Sequence, residues 1–165
     1  MRTLTRWALA TVATAMATTP AASFAVSMAM AENSGQFLPL NTVLRRCDFS
    51  TMDYYDAVGT GRPTATVRSS GGQVTADVQM VLAKPNATYQ VRLIQMPRES
   101  WEGCHAGGQG TAVLDLRTDG AGAGAVTLSA PLMSGATGAW VAVDLPQPGA
   151  QGPAEFYSSD LIAKV

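Results

Sequence analysis

Hydrophobic and polar positions alternate most strictly between residues 73 and 95. Val74, Ala76, Val78, Met80 and Leu82 take every second place, with Thr75, Asp77 and Gln79 between them. After Lys84-Pro85-Asn86-Ala87 the alternation resumes through Tyr89, Val91 and Leu93, while Gln90 and Arg92 point the other way. A period of two sends the apolar set to one face of a sheet. Two such runs joined by a short Pro/Asn turn predict an antiparallel hairpin.

The pattern recurs along the chain. Residues 64–68 place Ala65 and Val67 on one face and run into the turn Ser69-Ser70-Gly71-Gly72. Residues 111–117 align Ala112, Leu114 and Leu116, and Asp119-Gly120 follows as a tight-turn signal. Residues 124–129 carry Val126 and Leu128; residues 140–145 carry Val141, Val143 and Leu145 before Pro146 and Pro148 break the run. A final edge strand is expected over 155–165, and a first strand over 42–49. Ser50-Thr51-Met52-Asp53 has the capping-box shape, which predicts a short helical turn through Tyr54, Tyr55 and Asp56 ending at Gly59. About eight or nine short strands separated by Gly/Pro turns predict an all-β, two-sheet antiparallel sandwich, immunoglobulin-like in the broad sense. Hairpin 124–145 echoes hairpin 73–95, which reads as two hairpins of one sandwich and not as a solenoid. The expected core is Val74, Ala76, Val78, Met80, Leu82, Val91, Leu93, Leu114, Leu116, Val126, Val141 and Val143.

A chain of 165 residues is expected to hold one domain. Residues 1–31 read as a secretory signal. Arg2 and Arg6 precede the uncharged stretch 7–17, and Ala29-Met30-Ala31 before Glu32 supplies an A-x-A cleavage site; Ser23-Phe24-Ala25 is a second candidate. A membrane anchor is the competing reading, weakened by Pro20 and by Ala and Thr in place of Leu and Ile. The expected product is secreted, extracellular or in the cell envelope, with no membrane span after cleavage. Residues 32–41 are expected as an N-terminal arm able to dock Phe37, Leu38 and Leu40, and 42–165 as the domain. Setting aside Arg2 and Arg6 leaves nine basic and twelve acidic residues with no basic stripe, which argues against a nucleic-acid partner. Charged residues at 14% are too few for disorder by self-repulsion.

Cys47 and Cys104 are the only cysteines. Behind a signal peptide they are expected to pair, the alternative being two free thiols. Closing a loop of about 57 residues would contribute roughly 4 kcal/mol in the chain-entropy picture. One histidine and two distant cysteines are too few for a metal site, and no cofactor is expected. His105, the only histidine, lies near Glu99, Glu102 and Cys104, so Cys–His chemistry is conceivable unless Cys104 is oxidised. No nucleophile-elbow, H-E-x-x-H or phosphate-loop spacing occurs. Trp101, following Arg98 and Glu99, has the chemistry of a binding anchor. The competing reading folds Trp101 over the disulfide as a lid, and that reading is preferred. Trp140 lies off the Val141/Val143 face and is expected to point outward as a second surface candidate.

Pro85-Asn86-Ala87-Thr88-Tyr89-Gln90-Val91 resembles the corner that opens a late strand in fibronectin type III domains. That resemblance implies a buried Tyr89 ring with its hydroxyl on the 83–85 backbone. The chain departs from that family in carrying three or four strands after the tyrosine strand where one is the rule. Leader, two cysteines and Gly/Ala-rich strands also resemble small exported bacterial β-sandwich proteins, a likeness that brings no site residues with it. Two functions are weighed. One is a secreted non-enzymatic binder whose 96–110 loop (Arg98, Trp101, His105) takes a protein or carbohydrate ligand. The other is a small secreted hydrolase or redox enzyme using His105 with nearby carboxylates. A pocket around His105 would favour the enzyme and an exposed aromatic the binder.

Overall fold

The computed structural model describes residues 35–56 and 58–165; the signal peptide expected at 1–31 and the start of the arm lie outside the described residues. The strands are β1 (Gln36–Asn41), β2 (Arg62–Ser70), β3 (Gln73–Val81), β4 (Thr88–Met96), β5 (Thr111–Arg117), β6 (Gly124–Pro131), β7 (Gly138–Leu145), β8 (Glu155–Ser159) and β9 (Ala163–Lys164), with no helix among the described residues. All pairings are antiparallel. The hydrogen-bonded order is β5-β4-β7-β8-β1-β2-β3-β6, with β9 on β7.

β1 makes the path continuous. Its residues Gln36 to Pro39 pair with β2, while Leu40 and Asn41 pair with β8. The path's two end strands, β5 and β6, are joined by a tight turn in which Asp119 N–H donates to Ala123 O at 2.8 Å. The sheet is therefore a nearly closed, barrel-like wall, where a sandwich would keep two separate sheets. Gly71 and Gly72 close the β2–β3 hairpin with φ of +58° and +75°, the left-handed pair that a two-residue turn requires.

Both strands of 73–95 form where the alternation puts them, but they do not make the expected hairpin: β3 pairs with β2 and β6, and β4 with β5 and β7, so the 82–87 turn crosses from one half of the wall to the other. The expected hairpin 124–145 fails in the same way, β6 lying on β3 and β7 on β4. Most of the expected core is buried, joined by Leu38, Leu40, Val67, Leu128 and Tyr157. Three positions differ. Leu82 lies beyond the end of β3 at φ +56°, so the alternation stops before it and its side chain is exposed. Leu114 is 47% exposed and Val126 only partly buried, because β5 and β6 are end strands with no ladder partner on one side.

The ends of the domain also differ from expectation. The arm is, over Gln36–Asn41, strand β1, and Leu38 and Leu40 anchor it in the core. Residues 42–49 do not form a strand; a lone antiparallel bridge joins Arg45 to Thr51. The helical turn does not form. Instead Asp48 Oδ1 accepts from the Ser50 N–H at 3.0 Å and the Ser50 hydroxyl at 2.6 Å, a local side-chain-to-backbone turn in place of a helix start. Those two bonds hold the Asp48 carboxyl below its ordinary range. The C-terminal stretch splits into β8 and β9, and β8 is interior, between β7 and β1.

Candidate functional site

The 96–110 loop leaves β4 and folds back over the outer face of β4 and β7. There Cys104 is buried and disulfide-bonded to Cys47, with Cα atoms 5.6 Å apart. Arg98 points into the loop. Its Nη1 donates to Gly103 O at 2.8 Å, and its Nη2 to Gln109 O at 2.5 Å and Thr111 Oγ1 at 3.0 Å. The guanidinium is a clasp that fixes the loop's shape and is not free for a ligand. Trp101 is no lid: it is 80% exposed. At the loop's base Gln95 is buried, donating from Nε2 to Pro131 O at 2.9 Å and accepting at Oε1 from Met133 N–H at 2.8 Å.

His105 sits exposed on this loop, its ring so close to Gly103 that a Cβ there would fall 1.9 Å from Cε1. Glu102 turns away from it: its Oε2 accepts from Glu99 N–H at 3.2 Å. Among the described residues no side chain hydrogen-bonds the His105 ring, and no cluster of three or more His, Cys, Asp or Glu could hold a metal. Cys104, being oxidised, is not a nucleophile.

The disulfide also pins residues 42–56 onto the same face and creates a second apolar core. Trp140 does point away from Val141 and Val143, as the alternation requires, but it is fully buried. Phe49 meets it edge-on at 5.4 Å, and Ile94, Met96 and both cysteines complete the cluster. The Arg45 guanidinium stacks 4.1 Å from the Phe49 ring centroid and donates to Phe49 O at 3.1 Å, holding the cover down.

Beyond this cluster, the same face carries Arg92 on β4 and, diagonally across from it on β7, Asp144, whose register partner is Gln90. Arg92 Nη2 is paired with Asp144 Oδ2, and Nη1 lies 3.4 Å from Cys104 Sγ. Burial pushes the Asp144 carboxyl above its ordinary value, against the opposing pull of Arg92. The pair floors a groove of about 310 Å³ whose walls are Leu44, Gln90, Pro146, Gln151 and Gly152. Period two sends Arg92 to the outer face and says nothing about what covers that face; Asp144 was not singled out in the sequence at all.

The opposite outer face is open. Phe37, Thr66, Asp77 and Thr127 stand in one register row across β1, β2, β3 and β6, lining a shallow basin of about 590 Å³. Asp77 is satisfied there by Arg68 and by the Thr127 hydroxyl at 2.7 Å, and both lower its pKa, Arg68 most.

Inside the wall, Tyr89 is fully buried and its hydroxyl accepts from Lys84 N–H at 3.1 Å, the corner bond implied by the fibronectin resemblance. The hydroxyl also donates to Glu155 Oε2 at 2.8 Å, and Tyr157 donates to the same oxygen at 3.0 Å. Burial, then Glu155, pushes the Tyr89 phenol up to about 12, and raises Tyr157 likewise.

Comparison with protein-family models, curated proteins and solved structures finds no match to this chain. Fold and site define an all-β, disulfide-pinned antiparallel domain.

Proposed function

We propose that this chain is an exported, non-enzymatic β domain, immunoglobulin-like in the broad sense, whose 96–110 loop docks a protein partner through Trp101. The observation that carries this reading is a tryptophan 80% exposed on a loop whose shape is fixed by the Arg98 clasp and the disulfide. A large aromatic carried on a loop that is already ordered is what binding hot spots use. The disulfide supports an oxidising compartment. Trp101 lines neither the groove nor the basin, which favours a protein surface over a sugar at this loop. The enzyme alternative lacks support in the arrangement of His105, Glu102 and Cys104.

The test compares wild type with Trp101→Ala as bait against exported proteins from the producing cells. The expected result is a partner retained by wild type and weakened at least about 30-fold by Trp101→Ala, an effect of about 2 kcal/mol, with an unchanged melting temperature. Equal capture by both baits overturns the reading. So does a hydrolytic or redox turnover abolished by His105→Ala.

A further inference from the structure

The geometry points to a second binding site: the groove over Arg92 and Asp144 takes a single pyranose ring, bound through a pair of neighbouring hydroxyls. The ion pair on the groove floor does not satisfy itself. Side chains of Arg92 and Asp144 are only 21% and 13% exposed. Ion pairs this buried seldom repay their desolvation in stability. Arg92 Nη1 and Nη2 each keep a second N–H beyond their contacts with Cys104 and Asp144. Asp144 Oδ2 takes Arg92, while Oδ1 receives no donor from any described residue.

What remains unspent sets the ligand's chemistry. The pair offers an acceptor, Asp144 Oδ1, beside the outer N–H bonds of the Arg92 guanidinium. It is neutral as a unit. A cation entering the groove meets Arg92 and an anion meets Asp144, so neither sign is favoured. A neutral group that both donates and accepts across adjacent atoms fits, and a vicinal diol is that group. Gln90, Gln147 and Gln151 add side-chain amides to the walls, each with donors and an acceptor for further hydroxyls. Leu44, Pro146 and Pro153 give apolar surface for the C–H face of a ring. A volume of about 310 Å³ is at the small end of ligand pockets, which suits one ring and not an extended chain. Arg92 and Asp144 stand on paired interior strands next to the disulfide, so the floor is preorganised.

Amide NMR of the full, disulfide-intact chain tests this with methyl glycosides of glucose, galactose, mannose and N-acetylglucosamine at millimolar concentration. At least one should give saturable shifts at Gln90, Asp144 and Gln151. Ala150→Trp, which fills the groove from its exposed rim, should weaken that binding about tenfold or more. Should that variant fold poorly, the double change Gln147→Ala with Gln151→Ala, both exposed, should weaken it by several-fold. Trp101→Ala should leave it unchanged, which separates this site from the loop. The free reducing sugar run in parallel distinguishes the sources: binding lost without the C1 substituent marks the non-reducing end of a chain, and equal binding a free sugar. The proposal is overturned by no saturable shift from any of the four glycosides. It is equally overturned by shifts that survive both rim variants, or by an equal response to acetamide, which would make the groove a carboxamide or peptide site.

Discussion

An Arg–Asp pair sits on each outer face of the wall, and the two pairs live under different physics. Arg68–Asp77 lies on the open face of β2 and β3, both side chains 36% exposed, with Thr127 completing the carboxylate's bonds. Arg92–Asp144 lies on the face that residues 42–56 and the 96–110 loop cover, at 21% and 13%. Solvent makes the first pair cheap to form and weak; burial makes the second costly to form and costlier to break. The carboxyl groups record this. Asp77 is lowered by its partners, whereas Asp144 is raised because desolvation outweighs Arg92. Their contributions to stability against pH therefore have opposite signs. Asp77 contributes stability present above 3.8 and lost as pH falls through its lowered value. Asp144 contributes stability present below 3.8 and lost as pH rises through its raised value. Asp77→Asn should flatten the acid limb of a stability–pH curve and Asp144→Asn the limb above it. Matching effects from the two variants would end the distinction.

The largest expected effect comes from cutting each pair on the arginine side. Arg92→Ala strands a buried carboxylate and should cost about 3–5 kcal/mol in urea unfolding. Arg68→Ala should cost about 0.2–1 kcal/mol. Equal costs would mean that the cover does not exclude water from Asp144. The same contrast holds without charge. Trp140→Ala empties the second core and should cost about 3–5 kcal/mol, while Thr64→Ala on the open face should stay below about 1 kcal/mol.

Those two faces also show where the sequence was readable. Strands β2 and β3 alternate buried and half-exposed positions, and their alternation in sequence was enough to place them and their core face. β7, Gly138–Leu145, is buried at every position but its last. Its alternation placed Val141 and Val143 in the main core correctly and sent Trp140 to the outer face, also correctly. What it could not supply was the cover, because that cover is an irregular segment held by a disulfide and a cation–π contact and has no period. The uninterrupted apolar run Ala139-Trp140-Val141-Ala142-Val143 was the available signal for a strand buried on both sides. The Cys47–Cys104 bond was legible from count, since the sequence holds no third cysteine to compete, and the Tyr89 corner from local chemistry. The Arg92–Asp144 pair was not, since it joins residues 52 apart whose proximity depends on strand order.

Opening the disulfide should loosen one face and spare the other. The chain-entropy estimate for a separation of 57 residues is roughly 4 kcal/mol, with typical measured values about 2–4 kcal/mol. The loss should be local first. After reduction, amide exchange should quicken in 42–56 and 96–110, Trp140 emission should shift red, and β2–β3 amides should keep their protection until global unfolding. Uniform quickening would show that the cover and the wall unfold as one unit.

The smallest expected effect lies inside the wall that both faces share. Tyr89 and Tyr157 donate to one oxygen of Glu155, and each accepts a backbone N–H, Lys84 for the first and Gly61, at 2.9 Å, for the second. The cluster thereby ties the β3–β4 turn, the entry to β2 and the start of β8 at one end of the wall. Tyr89→Phe keeps the ring in the core and removes only the hydroxyl. It should cost roughly 0.5–1.5 kcal/mol, because Glu155 retains Tyr157 and the one group left without its partner is the Lys84 N–H, near the surface. The phenol's raised value, about 12, means that this stability is fully present below pH 10 and fades as pH rises through about 12. Tyr89→Phe should therefore lose stability at neutral pH yet fall less steeply than wild type in alkali. A variant as stable as wild type at neutral pH, with the same alkaline slope, would remove the corner bond from the list of what holds this end of the wall together.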